Sequence, residues 1–126
     1  MKLQKAVDLI RNNLKGAKIE IVKHYVIERS NSEYFRLKVR SDDILLDIRE
    51  RWVEGRRQLY GYQLRIGDKN VLRYDNAPHH REISTFPHHK HIEGRVEELK
   101  NPDLTAFLDD VKLYLRLLRD KSPTEE

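Results

Sequence analysis

The sequence predicts an α+β domain: an antiparallel meander sheet of about five strands, flanked by an N-terminal and a C-terminal helix. Three observations predict it. Apolar residues recur at spacings of three and four near both ends of the chain. In the middle they alternate every second residue. The alternating stretches are joined by linkers so short that consecutive strands must form hairpins. With 126 residues, the chain has room for one domain, 1–126, around one core.

Each element has its own signal. In residues 2–14, Leu3, Ala6, Val7, Ile10 and Leu14 make one helical stripe, and Gly16 is placed to end it. KIEIVKHYVIER (18–29) reads as a strand with Ile19, Ile21, Tyr25 and Ile27 on one face, Lys23 interrupting it and His24 opposite. EYFRLKVR (33–40) points Phe35, Leu37 and Val39 one way and a basic stripe of Arg36, Lys38 and Arg40 the other. DILLDIRERWVE (43–54) aligns Ile44, Leu46, Ile48 and Trp52; Glu50 among them reads as a strand-end residue reaching solvent. QLYGYQLRI (58–66) aligns Tyr60, Tyr62, Leu64 and Ile66 as core, and VLRY (71–74) makes the fifth strand. The linkers SNS, SDD, EGRR and GDKN are turn-forming. Pro78 and Pro87 exclude a helix or central strand over 76–88, which is expected as an ordered loop, and His89 to Val96 is read as extended again. Asn101-Pro102-Asp103 starts a final helix with Leu104, Phe107, Leu108, Val111, Tyr114, Leu115 and Leu118 as its apolar stripe. Residues 122–126 are expected to fray. The helices should cover one sheet face and leave the other to solvent or a ligand.

The chain has no cysteine, which excludes disulfides, thiolate nucleophiles and Cys-type zinc sites. No apolar stretch is long enough to cross a membrane, and the first residues lack the apolar run of a signal peptide, so a cytoplasmic protein is expected. Lys plus Arg number 25 against 21 for Asp plus Glu; the net charge of +4 is compatible with a polyanionic partner.

The chemistry concentrates in RYDNAPHHREISTFPHHKH (73–91), which holds five of the six histidines. Imidazole titrates near neutrality, which suits proton transfer, metal ligation or anion binding. Cleaving RNA without a cofactor needs a base for the 2′-hydroxyl, an acid for the departing 5′-oxygen, and a cation for the charge that builds on phosphorus. Two of His79, His80, His88, His89 and His91 could form the acid–base pair. Lys90 and Arg81 could stabilise the phosphate, and Asp75 could orient a histidine. Arg73 is a further cation for RNA, and Tyr74 and Phe86 could stack on bases. A metal-dependent nuclease is the alternative, with His89, His91 and Asp75 as ligands, although no recognised zinc spacing occurs. A non-catalytic module binding nucleic acid or protein is another. Asn76 and Pro78 read as turn scaffold, and His24 as structural.

The two blocks YDNAPHH (74–80) and TFPHHKH (85–91) together resemble the signature of the TumE-family toxins, and the resemblance covers most of the chain. It implies the toxin component of a type II toxin–antitoxin system, with a cognate DNA-binding antitoxin as partner. It also implies an expected endoribonuclease activity on RNA, free or on the ribosome. In outline the arrangement is similar to RelE-like RNA-cleaving toxins. By motif match, Tyr74, Asp75, Asn76, His79, His80, Phe86, Pro87, His88, His89, Lys90 and His91 are the implicated positions. A homodimer is compatible with the sequence.

Overall fold

The computed structural model describes residues 1–121; the tail expected to fray, 122–126, lies outside the described residues. The order is α1 (Lys2–Asn13), β1 (Lys18–Ile27), a 3-10 turn (Glu28–Ser30), β2 (Ser32–Ser41), β3 (Ile44–Val53), β4 (Arg56–Ile66), β5 (Lys69–Asp75), β6 (His89–Ile92), β7 (Arg95–Glu98) and α2 (Leu104–Lys121). The strands form one antiparallel sheet in sequence order. It has seven strands rather than about five. The extended stretch from His89 folds as a hairpin of two four-residue strands, turned by Glu93 and Gly94, both at positive φ.

Alternation does what the sequence says in β2, β3 and β4. Phe35, Leu37, Val39, Leu46, Ile48, Tyr62 and Leu64 are buried against the helices, which pack on one face of the sheet. Phe107 and Leu108 of α2 and Ile10 of α1 close this core. Burying a side chain such as Phe107 stabilises the fold by about 2 kcal/mol. The α2 stripe is buried from Leu104 through Val111 and reaches solvent at Leu118. Its cap is Asp103, whose Oδ1 accepts from the Ala106 amide at 2.8 Å, so the helix starts at Leu104 rather than at Asn101.

β1 departs from the reading by parity. A bulge between Ile21 and Lys23 inserts one residue, and a one-residue slip exchanges the faces of a strand. Ile19 and Ile21 lie opposite Val39 and Leu37 on the helix side, while Tyr25 and Ile27 lie opposite Tyr34 and Ser32 on the outer face. His24 therefore joins the helix side, opposite Phe35, and its Nε2 meets Glu33 Oε2 at 2.9 Å. Glu33 in turn accepts from the amides of Lys2 and Leu3 at 2.9 and 3.2 Å, so a strand residue caps α1.

Glu50 is the second correction. It is buried rather than reaching solvent. Trp52 Nε1 donates to it at 2.7 Å, the Tyr62 hydroxyl donates to its other oxygen, and Arg57 lies 3.9 Å away. Arg57 also donates to the Tyr62 hydroxyl at 2.7 Å and to the Pro102 carbonyl. This network ties β3 and β4 to the approach to α2. No described helix is long and apolar enough to cross a membrane.

Candidate functional site

The site is set by the pairing of β5 with β6. Asp75 lies opposite His89 and Arg73 opposite His91, while Tyr74 lies opposite Lys90. Opposed residues share a face, and neighbours alternate. Arg73, Asp75, His89 and His91 therefore stand on the outer face, away from the helices. Loop 76–88 folds back over that face and adds His80. The three imidazoles make a compact triangle, with ring centres 4.8 Å (His80–His89), 4.9 Å (His89–His91) and 5.5 Å (His80–His91) apart. One ring nitrogen from each lies within 4.8 Å of the other two.

Side chains fasten both ends of the loop. Asn76 Oδ1 accepts from the Tyr60 amide at 3.1 Å and its Nδ2 donates to the Gln58 carbonyl at 2.9 Å, so the side chain continues the ladder with β4. Thr85 Oγ1 donates to the His88 carbonyl at 2.7 Å and accepts from the Leu99 amide at 2.9 Å. Ser84 donates to Glu98.

Asp75 and His89 are both buried. Asp75 Oδ1 accepts from the Ala77 amide at 3.0 Å and meets His89 Nε2 at 2.8 Å; Oδ2 accepts from Arg73 Nε at 2.6 Å. His89 Nδ1 faces the Pro87 carbonyl at 3.0 Å. A carbonyl and a carboxylate both accept, so this pattern is satisfied by a ring with a proton on each nitrogen. Burial, and then the neighbouring His89, hold the His91 ring below the ordinary histidine value of 6.5, with Asp75 pulling the other way. Both effects favour the neutral form of the His91 ring. His80 Nδ1 lies 3.4 Å from Glu82 Oε2, which leaves its Nε2 for a ligand.

The structure does not bring every candidate to this triangle. Lys90 and Tyr74 are on the helix side. Lys90 Nζ contacts Asp110 of α2 at 3.2 Å, and the Tyr74 hydroxyl donates to the same carboxylate at 2.5 Å. His88 points the same way and stacks on Tyr60 at 5.7 Å. Burial first, then Arg57, push the His88 ring down, while burial pushes the Tyr60 hydroxyl up, and the Tyr60 hydroxyl and His88 Nδ1 share a hydrogen bond of 2.9 Å. His79, Arg81 and Phe86 are exposed on the loop, with Arg81 over the Phe86 ring at 6.0 Å. The assembled set is thus Arg73, Asp75, His80, His89 and His91. The metal alternative of Asp75, His89 and His91 gains His80, but the Asp75 oxygens already serve three donors.

Residues the sequence reading passed over border the site, together with Arg36 of the basic stripe. A cleft of about 130 Å³ beside Arg73 is also lined by Arg36, Asp47, Arg49, Gly61 and Gln63. A Cβ on Gly61 would come within 2.9 Å of Arg49 Nε, so the glycine makes room for the guanidinium to lie across β4. A glycine inside an alternating strand was the available signal, since it marks close approach.

A family model described as Toxin TumE matches residues 9–117, most of the chain. No curated protein and no solved structure matches it.

Proposed function

The chain belongs to the TumE toxin family, and from that premise we propose that it is a metal-independent endoribonuclease that cleaves RNA with the His80–His89–His91 cluster. A toxin family implies a neutralising antitoxin, so the active surface has to be one that a partner can silence. The observation that carries the reading is the division of labour among three imidazoles on one sheet face. His89 is locked between Asp75 and Pro87, while the His91 ring is pushed toward its neutral form and His80 keeps a ring nitrogen unengaged.

In this reading His91 accepts the proton of a ribose 2′-hydroxyl. The 2′-oxygen attacks phosphorus, and the bond to the 5′-oxygen breaks. His80 delivers a proton to that oxygen, leaving a 2′,3′-cyclic phosphate and a free 5′-hydroxyl. Each transfer contributes roughly 10²–10⁴-fold. Arg73 supplies positive charge beside the phosphorane, and Asp75 positions both Arg73 and the buried His89 ring. Lys90 has no part in it.

A second reading is favoured by the 4.8 Å grouping of ring nitrogens, which fits a zinc- or manganese-type site. It requires His89 to give up a proton and one of its two partners, because a ligating nitrogen carries no hydrogen. Cleavage of bulk cellular RNA by purified protein in EDTA, and again with added Mn or Zn, separates the two. Cleavage in EDTA with cyclic phosphate ends is the expected result. Cleavage only with metal would move the imidazoles to ligand roles. RNA bound but left intact in both buffers, with and without ribosomes, would make the chain a binding module.

A further inference from the structure

We infer that the outer sheet face carries a track for single-stranded RNA, running from the imidazoles through the Arg49–Gly61 cleft to a stacked tyrosine pair at the β1 edge. The inference rests on the RNA-directed reading above and adds how the strand is held. The pairing register puts Lys23, Arg36, Arg49, Gly61, Asp75 and His89 in one row across β1 to β6, all on the face away from the helices. The cleft in the middle of this row has one acid, Asp47, and Arg36 occupies it with bonds of 3.0 and 2.6 Å. Arg73 is held by Asp75. The Arg49 guanidinium makes no hydrogen bond or ion pair among the described residues, so its charge is available to an anion.

A second hollow of about 510 Å³ shares Arg49 and is lined by Lys23, Tyr25, Tyr34 and Arg51. Tyr25 and Tyr34 stack at 6.2 Å with their planes 21° apart, and Arg51 lies 5.5 Å from the Tyr34 ring. Tyr25 is 55% exposed, so the pair is a platform and not part of the core. It exists because the β1 bulge turns Tyr25 to this face. Flat aromatic rings beside unpaired guanidinium groups are the parts that hold a single strand: bases stack on the rings and phosphates follow the cations. From β2 to β6 the track spans four strand spacings, roughly 19 Å, which calls for several linked nucleotides rather than a mononucleotide. Stacking on the platform needs unpaired bases, which a duplex does not offer.

The test is binding of a fluorescent 2′-O-methyl oligoribonucleotide, which lacks the nucleophilic hydroxyl and so reports binding without cleavage. The single strand should bind more tightly than its duplex, and binding should weaken as salt rises. Arg49→Ala should lower affinity roughly tenfold and flatten the salt dependence by about one phosphate contact. Tyr34→Ala should lower affinity roughly tenfold through lost stacking. Arg49→Lys should recover part of the loss, and Lys5→Ala, a cation on α1, should change nothing. Duplex bound as tightly as single strand, or affinity unchanged in both Arg49→Ala and Tyr34→Ala, would overturn the track. Such a result would leave the imidazole chemistry standing, whereas cleavage surviving in His91→Ala would remove that chemistry and leave the binding data intact.

Discussion

Two histidine–carboxylate pairs in this protein have nearly the same geometry and opposite surroundings. His24 Nε2 meets Glu33 at 2.9 Å, and His89 Nε2 meets Asp75 at 2.8 Å. Glu33 also closes the N-terminus of α1, so its pair is a joint between a strand and a helix. The Asp75–His89 pair sits on the open side of the sheet, with Arg73 on one side and two further imidazoles within 5 Å of His89, at 4.8 and 4.9 Å. A histidine beside an acid is therefore no evidence of catalysis by itself. The accessible titratable groups that surround it make the difference.

Breaking the second pair's neighbourhood should have the largest effect. His91→Ala or His80→Ala should lower RNA cleavage about 10²–10⁴-fold with the melting temperature little changed. Wild-type cleavage in both variants would end the proposed roles. Asp75→Asn should both weaken cleavage and destabilise the fold by roughly 3 kcal/mol, because it strips the buried His89, and the partly exposed Arg73 beside it, of their shared carboxylate; denaturant titration reads this. Glu33→Gln should cost only about 1 kcal/mol, the scale of a helix cap, and leave cleavage per folded molecule unchanged. If it abolished cleavage in folded protein, the contrast between the two pairs would collapse.

The Glu33 difference should also depend on pH. Burial alone would raise its carboxyl, but the bond from His24 and those from the Lys2 and Leu3 amides outweigh it and hold the group below its ordinary 4.5. A lowered carboxylate contributes stability above its unfolded value and loses it as pH falls through the folded one. Parent and Glu33→Gln stabilities should therefore converge below pH 4.5. The smallest effect is expected for Lys90→Ala, which loses a partly exposed pair with Asp110 worth less than about 1 kcal/mol and should leave cleavage intact.

Periodicity made most of the fold legible. The two helices and β2 to β4 follow from spacing alone, because each buries one uninterrupted face. β1 was misread because a bulge carries no residue signature of its own and still inverts every position after it. Glu50 was misread because its partners Arg57 and Tyr62 stand on the next strand, across a hairpin. In the site, the histidine-rich segment was visible as composition, but its division was not. His89 and His91 share a face with Asp75 by alternation, which sequence can give. That His80 returns from the loop to join them depends on Asn76, Thr85 and Ser84 fastening the loop, which sequence cannot give. Alternation also assigns Lys90 to the opposite side, a deduction available once the segment is treated as a strand.

That alternation fixes how the chain tolerates changes in length. An extra residue beside exposed Arg81 and Glu82 only lengthens a surface loop. An extra residue between His89 and His91 sends one imidazole through the sheet to the helix side, where Lys90 now meets Asp110. Identical one-codon insertions, one harmless and one ruinous, are thus separated by less than the length of the loop.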